Sequence, residues 1–167
     1  MAGQDPREIV QSYLRGWTTG DFGLLDQILD PEVEYRERGQ VHDQGGLYDS
    51  VSSFSRVFAD SRFTVDLWVV EGDVVACHYT FEGEHTGRLH LDPPLDQALR
   101  KEAVAPSGRR VRTSGTLICV LRNGRIRRII AEFDQLMLLT KLGAFGRIEP
   151  DVVEVPDLQP IERWWKD

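Results

Sequence analysis

Glu132 and Asp134 stand two residues apart in a run, Arg125 to Asp134, that reads as a strand. Side chains two apart on a strand project to the same side. In a poorly hydrated site two such carboxyls do not both ionise cheaply, because desolvation and mutual repulsion raise at least one pKa. One protonated and one ionised carboxyl is the pairing that joint acid and base work requires. Removing a proton beside a carbonyl and protonating the new alkoxide gives an aldol ring closure. Protonating an epoxide oxygen while activating water or an internal hydroxyl gives an epoxide opening. The alternative is that both carboxylates are solvated at the strand exit, with Arg127 or Arg128 beside them.

Other polar candidates sit in the same half of the chain. His78 lies mid-strand on the side of Thr80 and Glu82. There it can donate to a substrate carbonyl or enolate, or serve as a hydrogen-bonded core histidine. His85, in a His-Thr-Gly turn, reads mainly as structural, with a place at a pocket mouth as the alternative. Ser114 and Thr116 can orient a polar group from a facing strand. Tyr13, Trp17, Tyr35, Trp68 and Tyr79 would form an apolar wall suited to a flat aromatic substrate, or belong simply to the core. His42, His78, His85 and His90 show no helical His pair, and Cys77 and Cys119 have no neighbouring cysteine, so no metal site is expected. A Gly-rich phosphate loop and a Gly-x-Ser-x-Gly nucleophile context are both missing.

Composition narrows the partners. With 20 Lys+Arg against 27 Asp+Glu the net charge is −7. A phosphate backbone needs a basic patch, so nucleic acid is not expected. No apolar stretch approaches the roughly 20 residues of a membrane helix. No basic, apolar leader is evident at the start, and two reduced thiols fit a cytoplasmic protein.

The elements that must position these residues can be read from period and punctuation. Asp5 and Glu8 form a capping-box pattern around Pro6, and Ile9, Tyr13, Leu14 and Trp17 recur at helical spacing. Asp21 opens a second helix through Ile28. A short strand covers Val33 to Arg36, a loop Gly39 to Gly46, and a third helix Leu47 to Ala59. After Asp60 the period becomes two: Phe63, Val65, Leu67 and Val69 alternate with polar or large partners, Gly72-Asp73 turns, and Val74 to Phe81 returns. A polar, Pro-containing stretch from Glu84 to Arg109 has room for one short helix, Leu95 to Val104. Strands Val111 to Leu121 and Arg125 to Asp134 flank Asn123-Gly124, a strong hairpin signal. Helices followed by a long antiparallel meander argue for α+β. Such a sheet curls and, with helices on its concave side, encloses a cone with a pocket. Phe145 to Asp167, with three prolines and Trp164-Trp165, reads as an extended tail docked on the same or a partner subunit.

The run Gly124 to Gly143 resembles the C-terminal signature of the SnoaL-like polyketide cyclases: a glycine hairpin, a strand, an Asp followed by Gln-Leu, and a Leu-rich turn closed by Gly. Gly83 with His85-Thr86-Gly87, Ala59-Asp60 with Phe63 to Asp73, and Asp5 to Leu29 are similar to further parts of that family, and together they cover most of residues 5 to 143. The resemblance implies a nuclear-transport-factor-2-like fold: a curled antiparallel sheet with three N-terminal helices over residues 1–143, followed by the tail at 144–167. It also implies a homodimer formed through the sheet, and a cofactor-independent cyclase or isomerase acting on a hydrophobic, polyketide-like small molecule. Asp134 would be the acid/base at the pocket floor, Glu132 its partner and His78 an electrophilic helper. Ile130 stands where the family usually has Trp, Glu132 where an uncharged residue is commoner, and the 88–109 loop is longer. The rival readings are an epoxide-opening hydrolase or ether-forming cyclase, and a non-catalytic small-molecule-binding protein.

Overall fold

The computed structural model describes residues 5–92 and 95–145. The expected tail, with Trp164 and Trp165, lies outside the described residues from 146 onward. Three aspartates start the first three helices. Asp5 accepts from Arg7 N–H (2.9 Å) ahead of α1, Pro6–Thr19; Asp21 accepts from Leu24 N–H (2.9 Å) ahead of α2, Phe22–Ile28; and Asp43 accepts from Gly46 N–H (3.0 Å) ahead of α3, Gln44–Val57. Each satisfies a backbone donor that the helix itself leaves free. At Asp5 the side-chain bond goes to Arg7, and Glu8 N–H meets the Asp5 carbonyl instead.

Between and after the helices run β1, Leu29–Glu37; β2, Gln40–His42; β3, Phe58–Glu71; β4, Val74–His85; β7, Arg110–Arg122; and β8, Arg125–Phe133. They form one sheet in the order β2-β1-β8-β7-β4-β3. The sheet is mixed, which corrects the expectation of antiparallel pairing throughout. β1 runs parallel to β8, with Tyr35 opposite Ile129. No hairpin sets that pair's direction, because β1 joins the last strand rather than a neighbour in sequence. The β1–β2 hairpin falls in the segment expected as loop. Arg38 (φ 51°) and Gly39 (φ 74°) give it the paired positive φ values of a type I′ turn. The polar 88–109 excursion contains β5, Leu89–His90, paired with β6, Ala103–Val104, around α4, Leu95–Leu99.

The sheet stays open, with β2 and β3 as its edges, and it curls around α1 and α3. Register shifts within β3–β4, β1–β8 and β7–β8 bend it. The concave face is set by strict alternation: Val75, Cys77, Tyr79, Phe81 and His85 on β4 are buried, as are Val111, Thr113, Leu117 and Cys119 on β7. α5, Gln135–Leu142, closes the wide end with Leu138, Leu139 and Leu142, and Lys101 Nζ donates to the Ala144 carbonyl at 2.9 Å just past it.

The His-Thr-Gly turn fastens this sheet to α3. Thr86 and Gly87 N–H both donate to the Val57 carbonyl at 3.0 Å. His85 is fully buried, and its Nδ1 accepts from Ser107 N–H (3.2 Å) and lies 3.0 Å from Ser107 Oγ. Burial holds the imidazole below its ordinary pKa of 6.5, so it stays neutral. A methyl group on Gly87 would lie 2.0 Å from the Arg56 carbonyl oxygen, a backbone atom that cannot rotate away. Gly87→Ala is expected to cost about 3 kcal/mol and to lower Tm by about 6–12 °C. A calorimetric Tm within a degree or two of wild type would refute this account of the turn.

Candidate functional site

α1, α3, the hairpin β1–β2 and the concave face of β4, β7 and β8 enclose a cavity of about 430 Å³, a size suited to a drug-sized molecule. Its aromatic wall is locked by mutual edge contacts. Trp17 meets Tyr13 (centroids 6.2 Å apart, planes at 73°) and Phe54 (5.4 Å, 80°); Phe63 meets Tyr79 (5.2 Å, 82°). Edge-to-face pairs of this kind fix ring orientation as well as filling space. Tyr79 takes its pose because Gly115 lies opposite it on β7: a Cβ there would meet Tyr79 Oη at 2.5 Å and the Glu132 carbonyl at 2.7 Å.

Four polar atoms of residues on this wall are buried without a well-formed hydrogen bond: Tyr13 Oη and Trp17 Nε1, which neighbour each other, Tyr35 Oη, which neighbours Glu37, and Thr113 Oγ1. Of the carboxylates on this wall the most buried is Glu37, two residues beyond Tyr35 on the same side of β1, with a side chain only 12% exposed, whereas Asp49 and Asp92 are exposed. Arg38 Nη2 lies 3.3 Å from Glu37 Oε2, and Arg38 Nη1 lies 3.0 Å from Asp92 Oδ2, so this guanidinium ties the hairpin to the segment after β5 at the cavity mouth. His42, opposite Tyr35 on β2, packs its ring on that tyrosine at 5.8 Å. The hydroxyls of Tyr13, Tyr35 and Tyr79 are held well above the ordinary tyrosine pKa of 10.0. Burial is the main cause, and the negative charge of Glu37 adds to it. At any physiological pH these tyrosines are therefore proton-bearing donors rather than bases.

Of the residues expected from sequence, Tyr13, Trp17, Tyr35 and Tyr79 line this cavity. The others lie elsewhere. Glu132 and Ile130 are on the outer face of β8, because Ala131 and Phe133 take the inner one. Ser114 and Thr116 are likewise outward on β7, between the inward Thr113, Gly115 and Leu117. His78 points outward beside Thr116 and bonds Asp66 Oδ1 through Nδ1 at 2.7 Å. His78 and Tyr79, as adjacent strand residues, cannot both face the pocket. Trp68 packs against the core opposite Cys77 beyond the cavity, and His85 belongs to the turn already described. Asp134 is not at the pocket floor. It is exposed and caps α5, accepting from Met137 N–H at 2.8 Å, while its neighbours Phe133 and Gln135 line the cavity. Glu132 and Asp134 do share a side, but it is the outer one.

Sequence reasoning missed Glu37, His42 and Thr113. The signal for Glu37 was the alternation Val33, Tyr35, Glu37, hidden by ending the strand at Arg36. The signal for Thr113 was the apolar alternation of Val111, Leu117 and Cys119. Among the described residues no three His, Cys, Asp or Glu side chains converge to hold a metal ion, and no helix is long and apolar enough to cross a membrane.

An open curled sheet wrapped on three helices around one such cavity is the nuclear-transport-factor-2-like architecture. Residues 7–142 match the SnoaL-like polyketide cyclase family, and the chain belongs to it, a family of cyclase-type enzymes. No curated protein shows a significant match. Among solved structures, TsrD from Streptomyces laurentii aligns with a TM-score of 0.68 and 25% identity over 83% of this chain and 94% of its own. AclR from Streptomyces galilaeus aligns with 0.70 and 18% over 90% and 86%. A SnoaL-like polyketide cyclase from Agrobacterium tumefaciens aligns with 0.63 and 20% over 84% and 99%. The last two likenesses establish the fold alone.

The unpartnered Thr113 hydroxyl carries a stability cost in the free protein. A buried polar group without a partner costs about 1–3 kcal/mol. Thr113→Val removes one and keeps the shape of the side chain. It is expected to stabilise the protein by about 1 kcal/mol, a rise in Tm of about 2–4 °C. A fall in Tm would mean that the hydroxyl has a structural partner after all.

Proposed function

We propose that this protein is a cofactor-independent cyclase or isomerase that closes a ring in a polyketide-like small molecule by acid/base catalysis, with Glu37 as the acid/base. The observation that carries this reading is the placement of the Glu37 carboxylate, 12% exposed, on the wall of a largely aromatic cavity whose other lining carboxylates, Asp49 and Asp92, are at exposed positions. The carboxylate takes a proton from carbon beside a carbonyl. The resulting enolate attacks a second carbonyl of the same molecule, and the proton on Glu37 is returned to the new alkoxide. Bonds and protons balance within one substrate. Family membership supports the reaction class, and the apolar wall supports a flat, hydrophobic substrate.

Epoxide opening is the second reading. Asp49 of α3 and Asp92 also line the cavity from exposed positions, so Glu37 has further carboxylates beside the same cavity. Turnover in ¹⁸O-labelled water separates the readings: label in the product supports hydrolysis of an epoxide, and ring closure without label supports the cyclase.

Glu37→Gln is expected to lower kcat by about 10²–10⁴-fold with little change in KM on a polyketide substrate bearing a β-keto ester. Asp134→Asn, which preserves a good helix cap, is expected to stay within about threefold of wild type on the general acid–base scale. The reverse pattern would return the acid/base role to Asp134. We also propose a homodimer built on the outer face of the sheet, where Leu67 and Val69 are exposed beside His78 and Thr116. Light scattering at micromolar concentration is expected to report twice the monomer mass, and a monomer would refute this assembly.

A further inference from the structure

The open side of the sheet carries a second depression. Where α1 packs along the free edge strand β3, a groove of about 330 Å³ lies between Gln11, Arg15 and Thr18 on the helix and Ser61 and Val65 on the strand. Residues three and four apart share one helical face, and Ser61, Phe63 and Val65 alternate on one side of β3. Leu14 and Phe63 line both this groove and the aromatic cavity, so the two spaces adjoin across those two side chains. Phe63 is held by Tyr79 (centroids 5.2 Å apart) and Phe54 (5.8 Å). Leu14, an aliphatic side chain with other rotamers open to it, is the movable half of the partition.

Charge sets the groove apart from the cavity. Two arginines line it, and they differ. The Arg62 guanidinium is bonded to Glu82 in the outward row of β4. Arg15 is exposed and makes no ion pair among the described residues. In a chain of net charge −7, an uncompensated guanidinium next to an apolar cavity suits one anion. Its planar fork matches a carboxylate, and Gln11 and Ser61 bring neutral donors to the same groove.

We propose that this groove binds the carboxylate end of the substrate, with Arg15 as its counter-ion, and that the substrate is a flat apolar molecule carrying that carboxylate on a short aliphatic tether. The assignment rests on the reading of the aromatic cavity as the substrate site and adds the substrate class. The aromatic head occupies the cavity, and the tether passes between Leu14 and Phe63 as Leu14 changes rotamer. β3 is one edge of the sheet and β1 lies beside the other, so an anion anchored at Arg15 is kept apart from the carboxylate of Glu37.

Binding tests this without turnover. The probes are 6-(2-naphthyl)hexanoic acid, its primary amide, and 6-(2-naphthyl)hexylamine, each followed by naphthyl fluorescence with the full chain. Wild type is expected to bind the acid about threefold to fivefold more tightly than the amide, the scale of a solvent-accessible ion pair, and added salt is expected to erase the difference. Arg15→Gln is expected to remove the preference while leaving affinity for the amide within twofold. Arg15→Glu is expected to invert it, so that the amine binds about threefold more tightly than the acid. Arg7→Gln, elsewhere on the exposed side of α1, is expected to change nothing. Thermal melts confirm that each variant is folded. Equal affinity of wild type for acid and amide would overturn the assignment. So would a preference that survives Arg15→Gln, or failure of the amide to bind at millimolar concentration. A kinetically silent Glu37→Gln leaves the acid preference intact, and loss of the acid preference leaves the kinetic test of Glu37 intact, so failures of the two readings are distinguishable.

Discussion

Alternation along β4, β7 and β8 decides which side chains can meet a ligand. The cross-strand ladder ties the three strands in register, with Tyr79 opposite Gly115 and Gly115 opposite Phe133, so the inner and outer sets are fixed together. A one-residue slip in any strand would carry its apolar set outward and its charges inward, at a cost set by the whole buried face. The concave side holds aromatic and aliphatic residues with a few neutral hydroxyls, and the convex side holds Glu132, His78, Thr116 and Arg112. Everything that follows about chemistry is a consequence of that division.

Within the cavity, polarity enters from elements other than the long strands. Glu37 and Tyr35 come from β1, Tyr13 and Trp17 from α1, and Asp49 from α3, leaving Thr113 and Tyr79 as the hydroxyls of the central strands. Supplying polar groups from the periphery keeps the middle of the sheet packed and rigid while one end of the cavity carries donors and a carboxylate. A buried hydroxyl without a partner, such as that of Thr113, is a local cost to stability.

Much of the architecture was legible in residue order. Caps at Asp5 and Asp21, the change from helical to alternating period after Asp60, and the Asn123-Gly124 turn all correspond to elements in the structure, whereas the cap at Asp43 fell in a segment read as loop. The hairpin over Arg38-Gly39 was not legible, because Arg at positive φ is an uncommon turn residue and β2 is only three residues long. The site was legible only in its aromatics. Tyr13, Trp17, Tyr35 and Tyr79 are large and fall on apolar stripes, so their period identifies their face. Spacing showed that Glu132 and Asp134 share a side, but the side itself depends on which neighbours are buried, and Ala131 and Phe133 gave a weaker apolar pattern than the carboxylates gave a chemical one. Asp134 precedes a helix, and an Asp in that position has a capping role whatever else surrounds it.

The two register shifts that bend β3 against β4 have a further effect at the sheet's free edge. β3 is fourteen residues long, and its outward row of backbone groups would otherwise be a template for adding strands from other molecules. Interruptions at Ala59/Arg62 and Val65/Leu67, together with positive φ at Asp60 and the charges of Arg62 and Asp66, divide that row into lengths too short and too twisted for a second chain to follow. The same irregularities that let the sheet curl around its cavity thus guard an otherwise sticky border against fibril-like stacking.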